Sequence, residues 1–384
     1  MKLVVCLRPI KALKTKSMGI LRILLALSVV ASHGSSILGT KLCPGPLAVQ
    51  IFFMISGFYM ALVLGDRYPL NPRGLRLFYS NRALRLFPAF LTVTLGIWAL
   101  FILSWVWLGR IPGNDWVQDY ATMPWSVKLP LVATNWLLLG TDVFSSCYYS
   151  AAEGLRFMLP SDPPSMTEQG MMWMHRFRTI GAAWSIGTEI WFYLLAPFLV
   201  RLRWFWLAAL FLLSLACRLW IEHSLGRYPY FFFPAQLLFF ISGIWACQLY
   251  RRWNLDGLGG WQLTLARVLL GLNWLIIIFY PWLEQLLPRL ALYLLVALCL
   301  PWMFACTKDS RWDRLIGDVS YPLYLLHLPV QNLLQGHASL HDGSLIALAG
   351  LLLAVAVVLI IERPFEKLRR QRVSRAAHVS FSSS

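Results

Sequence analysis

The chain has 384 residues, a net charge of +17, 58% hydrophobic and 13% charged residues, and a mean hydropathy of +0.62. Soluble domains carry about a quarter charged residues, so the deficit excludes an ordinary soluble enzyme and points to a bilayer. The basic excess would suit nucleic acid, but its placement beside apolar segments argues against that role.

Pro46 to Gly65, Leu86 to Gly109, Tyr228 to Tyr250, Leu290 to Thr307 and Gly343 to Ile361 contain no Asp, Glu, Lys or Arg. A helix needs about 20 apolar residues to cross roughly 30 Å of hydrocarbon. The pattern predicts an all-α polytopic membrane protein with about ten spans. They lie near 18–37, 46–64, 86–108, 180–200, 204–221, 230–249, 266–283, 290–306, 315–335 and 344–361. Arg8, Lys11, Lys14 and Lys16 precede the first span as in a signal peptide. No convincing small-residue cleavage site follows, so that span is expected to stay as an anchor. With the N-terminus inside, 24 Lys and Arg fall in inner segments and 8 in outer ones, while Arg22 and Arg218 fall within spans. This split predicts both termini in the cytoplasm and contact with anionic membrane lipids rather than nucleic acid.

The expected organisation is a basic cytoplasmic N-terminus (1–17), one membrane domain (18–364) and a basic, disordered cytoplasmic tail (365–384). The longest loop, 109–179, is expected outside. Within it Leu129 to Gly140 is apolar but too short to span, and suits a re-entrant or interfacial segment. Cys43 and Cys147 are both expected outside, where they either pair or stay free.

An ionisable residue inside a span is costly, so each is a functional candidate. Arg22 and His33 are eleven residues apart, on nearly one face of the first span and roughly 16 Å apart along its axis. Taken alone, they also fit a snorkelling Arg and a His at a helix end. Arg67, Arg73, Arg76, Arg82 and Arg85 fill an inner loop, with Arg82 and Arg85 one turn apart and Pro88 expected in the first turn of span three. Arg forks suit phosphates, and plain topology-setting charge suits the same pattern. Ser185, Glu189 and Tyr193 recur at i, i+4 and i+8. Ser320, Tyr324 and His327 share a face of a later span. Facing a shared cavity would satisfy all these polar stripes.

The same residues resemble the membrane acyltransferase-3 family, in order and from Gly19 to about Pro364. LRILLALSVVASH (21–33) carries the Arg–His pair, VQIFFMISGFYM (49–60) the Ser56-Gly57-Phe58 motif, and FYSNRALRLFP (78–88) Arg82 and Arg85. WSIGTEIWFYLLAP (184–197) is similar to the family's Trp-Ser-Leu-x-x-Glu segment, with Ile186 for Leu. Gly187-Thr188 precede Glu189 where an acidic pair is common, so Glu189 aligns with either acid. VSYPLYLLHLPV (319–330) and IERPFEKL (361–368) resemble the closing motifs.

The resemblance implies transfer of an acyl group, usually acetyl, from cytoplasmic acyl-CoA to a carbohydrate or glycolipid hydroxyl across a bacterial inner membrane. Arg82, Arg85 and Arg22 would bind the donor phosphates. His33 would be general base or would relay the acyl group, and Glu189 would orient His33 or bind sugar hydroxyls. Ser56, Gly57, Ser185, Ser320, Tyr324 and His327 would line the cavity. The alternative reading is a carrier or flippase for a lipid-linked glycan or small metabolite. No Gly-rich nucleotide loop, metal-ligand cluster or Gly-x-Ser-x-Gly elbow is present, so no metal and no permanently bound cofactor are expected.

Overall fold

The computed structural model describes residues 17–66, 68–109, 115–157, 171–224, 226, 229–334 and 342–382. The basic N-terminal segment 1–16, Arg67 and the last two residues of the tail lie outside them. In chain order the helices are α1 (Gly19–His33), α2 (Gly45–Asp66), α3 (Pro72–Leu108), α4 (Asp115–Thr122), α5 (Trp125–Leu137) and α6 (Thr141–Ser145). Then come α7 (Ala183–Leu199), α8 (Trp204–Ser224), α9 (Leu237–Arg252), α10 (Gly260–Leu283) and α11 (Arg289–Thr307). The last are α12 (Arg311–Leu334), α13 (Gly343–Val357) and α14 (Arg363–Ser382). The end of the bundle holding Arg22 is termed inner and the end holding His33 outer, after the topology the charge pattern predicts.

Each expected span coincides with one of α1–α3 or α7–α13. Among the described residues six helices are long and apolar enough to cross a membrane: α2, α3, α8, α10, α11 and the joined α13–α14. α1 is apolar but has 15 residues. α7 and α9 have 17 and 16, and α12 is interrupted by Asp313, Asp318 and His327. For those four, a crossing rests on the sequence pattern alone.

Burial separates the centre from the perimeter. Of the most apolar stretch of α2, 83% is buried, against 17% for α8 and 28% for α10. The perimeter exposes Trp206, Leu212, Leu213 and Trp220 on α8 alone. A soluble protein does not tolerate so large an apolar surface, whereas lipid covers it. α2 and α9 cross closely because both contribute glycine: a Cβ on Gly57 would lie 2.0 Å from the Phe240 oxygen, and one on Gly243 1.9 Å from the Met54 oxygen. α1 is fixed by α12, whose Asp313 carboxylate accepts the Gly19 and Ile20 amides at 2.6 and 3.0 Å. A carboxylate there satisfies orphan amides and suits the helix dipole.

Two sequence expectations change. α3 begins at Pro72, capped by Asn71, whose Oδ1 accepts the Gly74 amide at 2.7 Å. The arginine-rich stretch is therefore helical from Pro72 on, and Pro88 is inside α3 rather than in a first turn; Pro72 takes the N-terminal position. The tail is helical to Ser382 rather than disordered. α13 passes through a π-helical turn (Val358–Glu362) into α14. Glu366 then pairs with Arg369 and Arg370 at 2.6 and 3.1 Å, and α14 packs along α3.

An outer cap joins α3 to α7. It holds α4, α5, α6 and a three-stranded antiparallel sheet of β1 (Cys147–Ser150), β2 (Gly154–Phe157) and β3 (Met172–Trp173), in the order β2-β1-β3. Its core is Met123, Val127, Leu131, Cys147, Met174 and Phe177. The apolar stretch from Leu129 falls mostly in α5, with Leu131 buried and Leu129, Val132 and Trp136 exposed. Cys43 and Cys147 are both buried and both free.

Candidate active site

Polar side chains from α1, α2, α3, α7 and α12 converge on a partly open cavity of about 120 Å³. Arg22, Ser56, Arg82 and Arg85 line it, as do Ser185, Glu189, Ser320 and Tyr324. Helical periodicity explains this. Ser185 and Glu189 are one turn apart on α7, as are Ser320 and Tyr324 on α12, so each helix turns one polar stripe inward.

The charges here are individually placed. Arg22, 8% exposed, donates from Nη2 to Ser320 Oγ at 2.8 Å. Arg85 forms an ion pair with Glu362 at 3.1 Å and lies over the Tyr321 ring at 5.6 Å. The π-helical turn brings Glu362 to that position, a use such turns often have. Arg82 is 7% exposed and stacks over Phe78 and Tyr193, at 5.6 and 5.8 Å from the ring centres. Glu189 Oε1 accepts from Ser56 Oγ at 2.6 Å and from Tyr193 Oη at 2.5 Å. Glu189 therefore sits in the cavity wall among α2 and α7 hydroxyls, and no contact links it to His33.

Gly57 is not on the cavity. Its missing side chain serves the α2–α9 crossing, where a Cβ would strike the α9 backbone. His33 and His327 are also off the cavity wall, just beyond its outer end. There Ser185 Oγ and Tyr324 Oη share a hydrogen bond of 2.7 Å. The Tyr324 ring lies 5.6 Å from that of His327, and the His327 ring 5.4 Å from that of His33. His33 is exposed at the end of α1, where Gln331 donates to its carbonyl at 2.6 Å. His327 is 1% exposed, and its Nδ1 lies 2.7 Å from the Tyr324 carbonyl. A carbonyl only accepts, so Nδ1 carries the proton and Nε2 keeps its lone pair. That Nε2 is buried without a hydrogen-bond partner. A two-histidine step thus extends from the cavity to the surface.

The outer cap adds residues that motif reading did not single out. Asn135 Nδ2 donates to the Phe177 carbonyl at 3.0 Å, and its Oδ1 accepts the Thr179 amide at 2.8 Å. The side chain between them, Arg178, is held over the Phe231 ring at 5.4 Å and donates to Ser145 Oγ at 2.8 Å. It lies within electrostatic reach of His33 and Tyr324. Burial lowers its pKa to about 10, which leaves it cationic near neutral pH. Burial, and then the charges of Arg178 and Arg176, lower His175 to about 4, so that ring is neutral. Burial raises the Asp142 carboxyl to about 6, beside Trp191 Nε1 at 3.2 Å. The one sequence signal for Arg178 is its position as an outer arginine against the charge rule. Among the described residues no group of three His, Cys, Asp or Glu could hold a metal ion.

A protein-family model described as an acyltransferase domain matches residues 15–363. No curated protein and no solved structure matches the chain.

Proposed function

The chain belongs to the acyltransferase-3 family and is a membrane acyltransferase, and on that premise we propose that it moves an acyl group, most simply acetyl, from cytoplasmic acyl-CoA to a hydroxyl of an extracytoplasmic carbohydrate. The observation that carries this reading is the polar path itself. Buried arginine lies at the inner end of the cavity, the Ser185–Tyr324 hydroxyl pair at its outer end, and His327 and His33 just beyond. The protein would sit in a bacterial inner membrane with about ten spans and both termini cytoplasmic, in keeping with the split of its basic residues.

The division of labour follows from charge type. Arg82 and Arg22 would hold donor phosphates, since guanidinium groups stay charged and bind phosphate oxygens as a fork. Arg85 is already matched by Glu362, which leaves it the smaller share. The acyl-pantetheine arm would lie along the cavity with its thioester toward Tyr324. Glu189, bound by Ser56 and Tyr193, would shape the wall and position Ser56 rather than touch reacting atoms.

A neutral alcohol is a poor nucleophile, so transfer needs a base at the outer end. His33, in its neutral form, would take the proton as the acceptor oxygen attacks the thioester carbonyl carbon. The carbon–sulfur bond then breaks, and the thiolate takes that proton to leave as the thiol. His327, with Nδ1 committed to a carbonyl, would set the ring beside it.

The test compares O-acetylation of surface carbohydrate in cells carrying wild type or His33→Ala at matched membrane levels. Acetyl esters that appear with wild type and vanish with the variant support both chemistry and centre. Normal acetylation by His33→Ala overturns the assignment of the base. Glycan export without any change in acetylation favours the carrier reading.

A further inference from the structure

The inner mouth of the cavity holds more positive charge than its own walls neutralise. Arg85 has Glu362. Arg82 has no such partner: among the described residues no carboxylate forms an ion pair with it. Its Nη1 lies 4.0 Å from the Met60 sulfur, and its Nε is buried without a hydrogen bond. The C-terminal helix α14 packs along α3 and brings further guanidinium groups against that helix. Arg372 Nη2 donates to Ser80 Oγ on α3 at 2.9 Å, two residues before Arg82. Arg369 lies within electrostatic reach of both Arg82 and Arg85. Its side chain is 11% exposed, tied to Glu366 at 2.6 Å, and its Nε is also buried and unbonded. Glu366 is shared with Arg370, so one carboxylate serves two guanidinium groups.

Two neighbouring buried cations repel each other and have lost their water. Such a pair persists at modest cost only where an anion bridges it. Buried guanidinium N–H donors without partners, on Arg82 and Arg369, suit phosphate oxygens, which accept several hydrogen bonds at once. We propose that α14 is part of the donor site, with Arg369 and Arg372 joining Arg82 around the phosphates of the donor's nucleotide portion. This rests on the acyl-CoA reading and extends it to a helix that the motif pattern leaves out. An inner-leaflet lipid headgroup offers the same phosphate chemistry, and the experiment separates the two sources.

Full-length protein is placed in nanodiscs of zwitterionic lipid alone or with anionic lipid, and binding of adenosine 3′,5′-bisphosphate is measured. Wild type binds in both lipids. Arg369→Gln weakens binding about tenfold, the loss of one charge-assisted hydrogen bond, and Arg372→Gln by a similar factor. Arg369→Lys recovers part of the loss. Arg370→Gln, whose side chain is 60% exposed, binds as wild type does and shares its thermal midpoint. With an active preparation, Arg369→Gln raises KM for acetyl-CoA yet transfers from S-acetylpantetheine, which lacks phosphates, as wild type does. Wild-type binding by both Arg369→Gln and Arg372→Gln overturns the proposal and leaves the acyltransferase reading standing. An equal loss with S-acetylpantetheine also overturns it, as a structural effect. Binding lost or gained with anionic lipid alone assigns the site to headgroups. If wild type binds no nucleotide in either lipid, the acyl-CoA reading and the proposal fall together.

Discussion

At the inner end of the cavity the charges are guanidinium groups, Arg22, Arg82 and Arg85, all buried or nearly so. At the outer end the ionisable groups beside the path are the imidazoles of His33 and His327, with the guanidinium of Arg178 near them. The two ends are made by different parts of the fold. The inner arginines come from α1 and α3, whereas His33 ends α1, His327 lies within α12 and Arg178 belongs to the cap. A guanidinium keeps its charge at any physiological pH and so suits a ligand that is always anionic. An imidazole changes charge near neutrality and suits a group that must take up and release a proton. On the proposed function, the contrast would divide binding from proton transfer along one path, with permanent cations at one end and titratable imidazoles at the other.

If that division holds, substitutions at each end should fail in distinguishable ways. The largest effect belongs to His33→Ala. Loss of a general base costs about 10²- to 10⁴-fold in rate. Transfer to acceptor should fall by that factor while nucleotide binding stays at the wild-type level, and a matching loss of nucleotide binding would erase the distinction between the ends. Arg82→Gln is the inner counterpart. Its donor KM should rise about 10- to 100-fold, the range for a hydrogen bond to a charged group, with little change in kcat or in the pH profile. Steady-state kinetics with varied acetyl-CoA read both numbers.

His327→Gln should have a smaller effect. It removes a buried ring 5.4 Å from that of His33 and the bond to the Tyr324 carbonyl. Loss of one such bond is worth about tenfold, and the comparison predicts that it appears in kcat and not in donor KM. A donor-KM effect would mean that the cavity couples its ends.

The smallest effect concerns stability alone. Asp142 is buried in the cap, and burial lifts its carboxyl to about 6. An acid raised in the folded state stabilises the fold while protonated, below its ordinary range, and that contribution is lost as pH rises to about 6. Asp142→Asn removes the ionisation while keeping an acceptor for Trp191. Its thermal midpoint should exceed wild type by roughly 5 °C at pH 7.5 and converge on it toward pH 4. An equal gain at both pH values would show that charge is not the cause.

Much of the fold was legible because bilayer-crossing helices announce themselves. Each expected span lies on a helix, and the stripes Ser185–Glu189 and Ser320–Tyr324 do turn toward one cavity. Helical period reveals which residues share a face, and the cost of burying polar groups reveals that such faces must meet. Periodicity is silent on which neighbour each face meets. Glu189 turned to Ser56 and Tyr193 instead of His33, and Arg85 found Glu362 across 277 positions of chain. Gly57 served a helix crossing rather than the cavity.

The amino-acid sequence by itself determined a helical membrane protein of the acyltransferase-3 family and the residue types its path would need. These follow from local hydropathy and motif order. Tertiary packing alone decided which arginine is neutralised, that α14 lies against α3, and that Asn135 holds Arg178 beside the histidines. Those depend on long-range contacts between segments whose separate compositions fit several partners equally well.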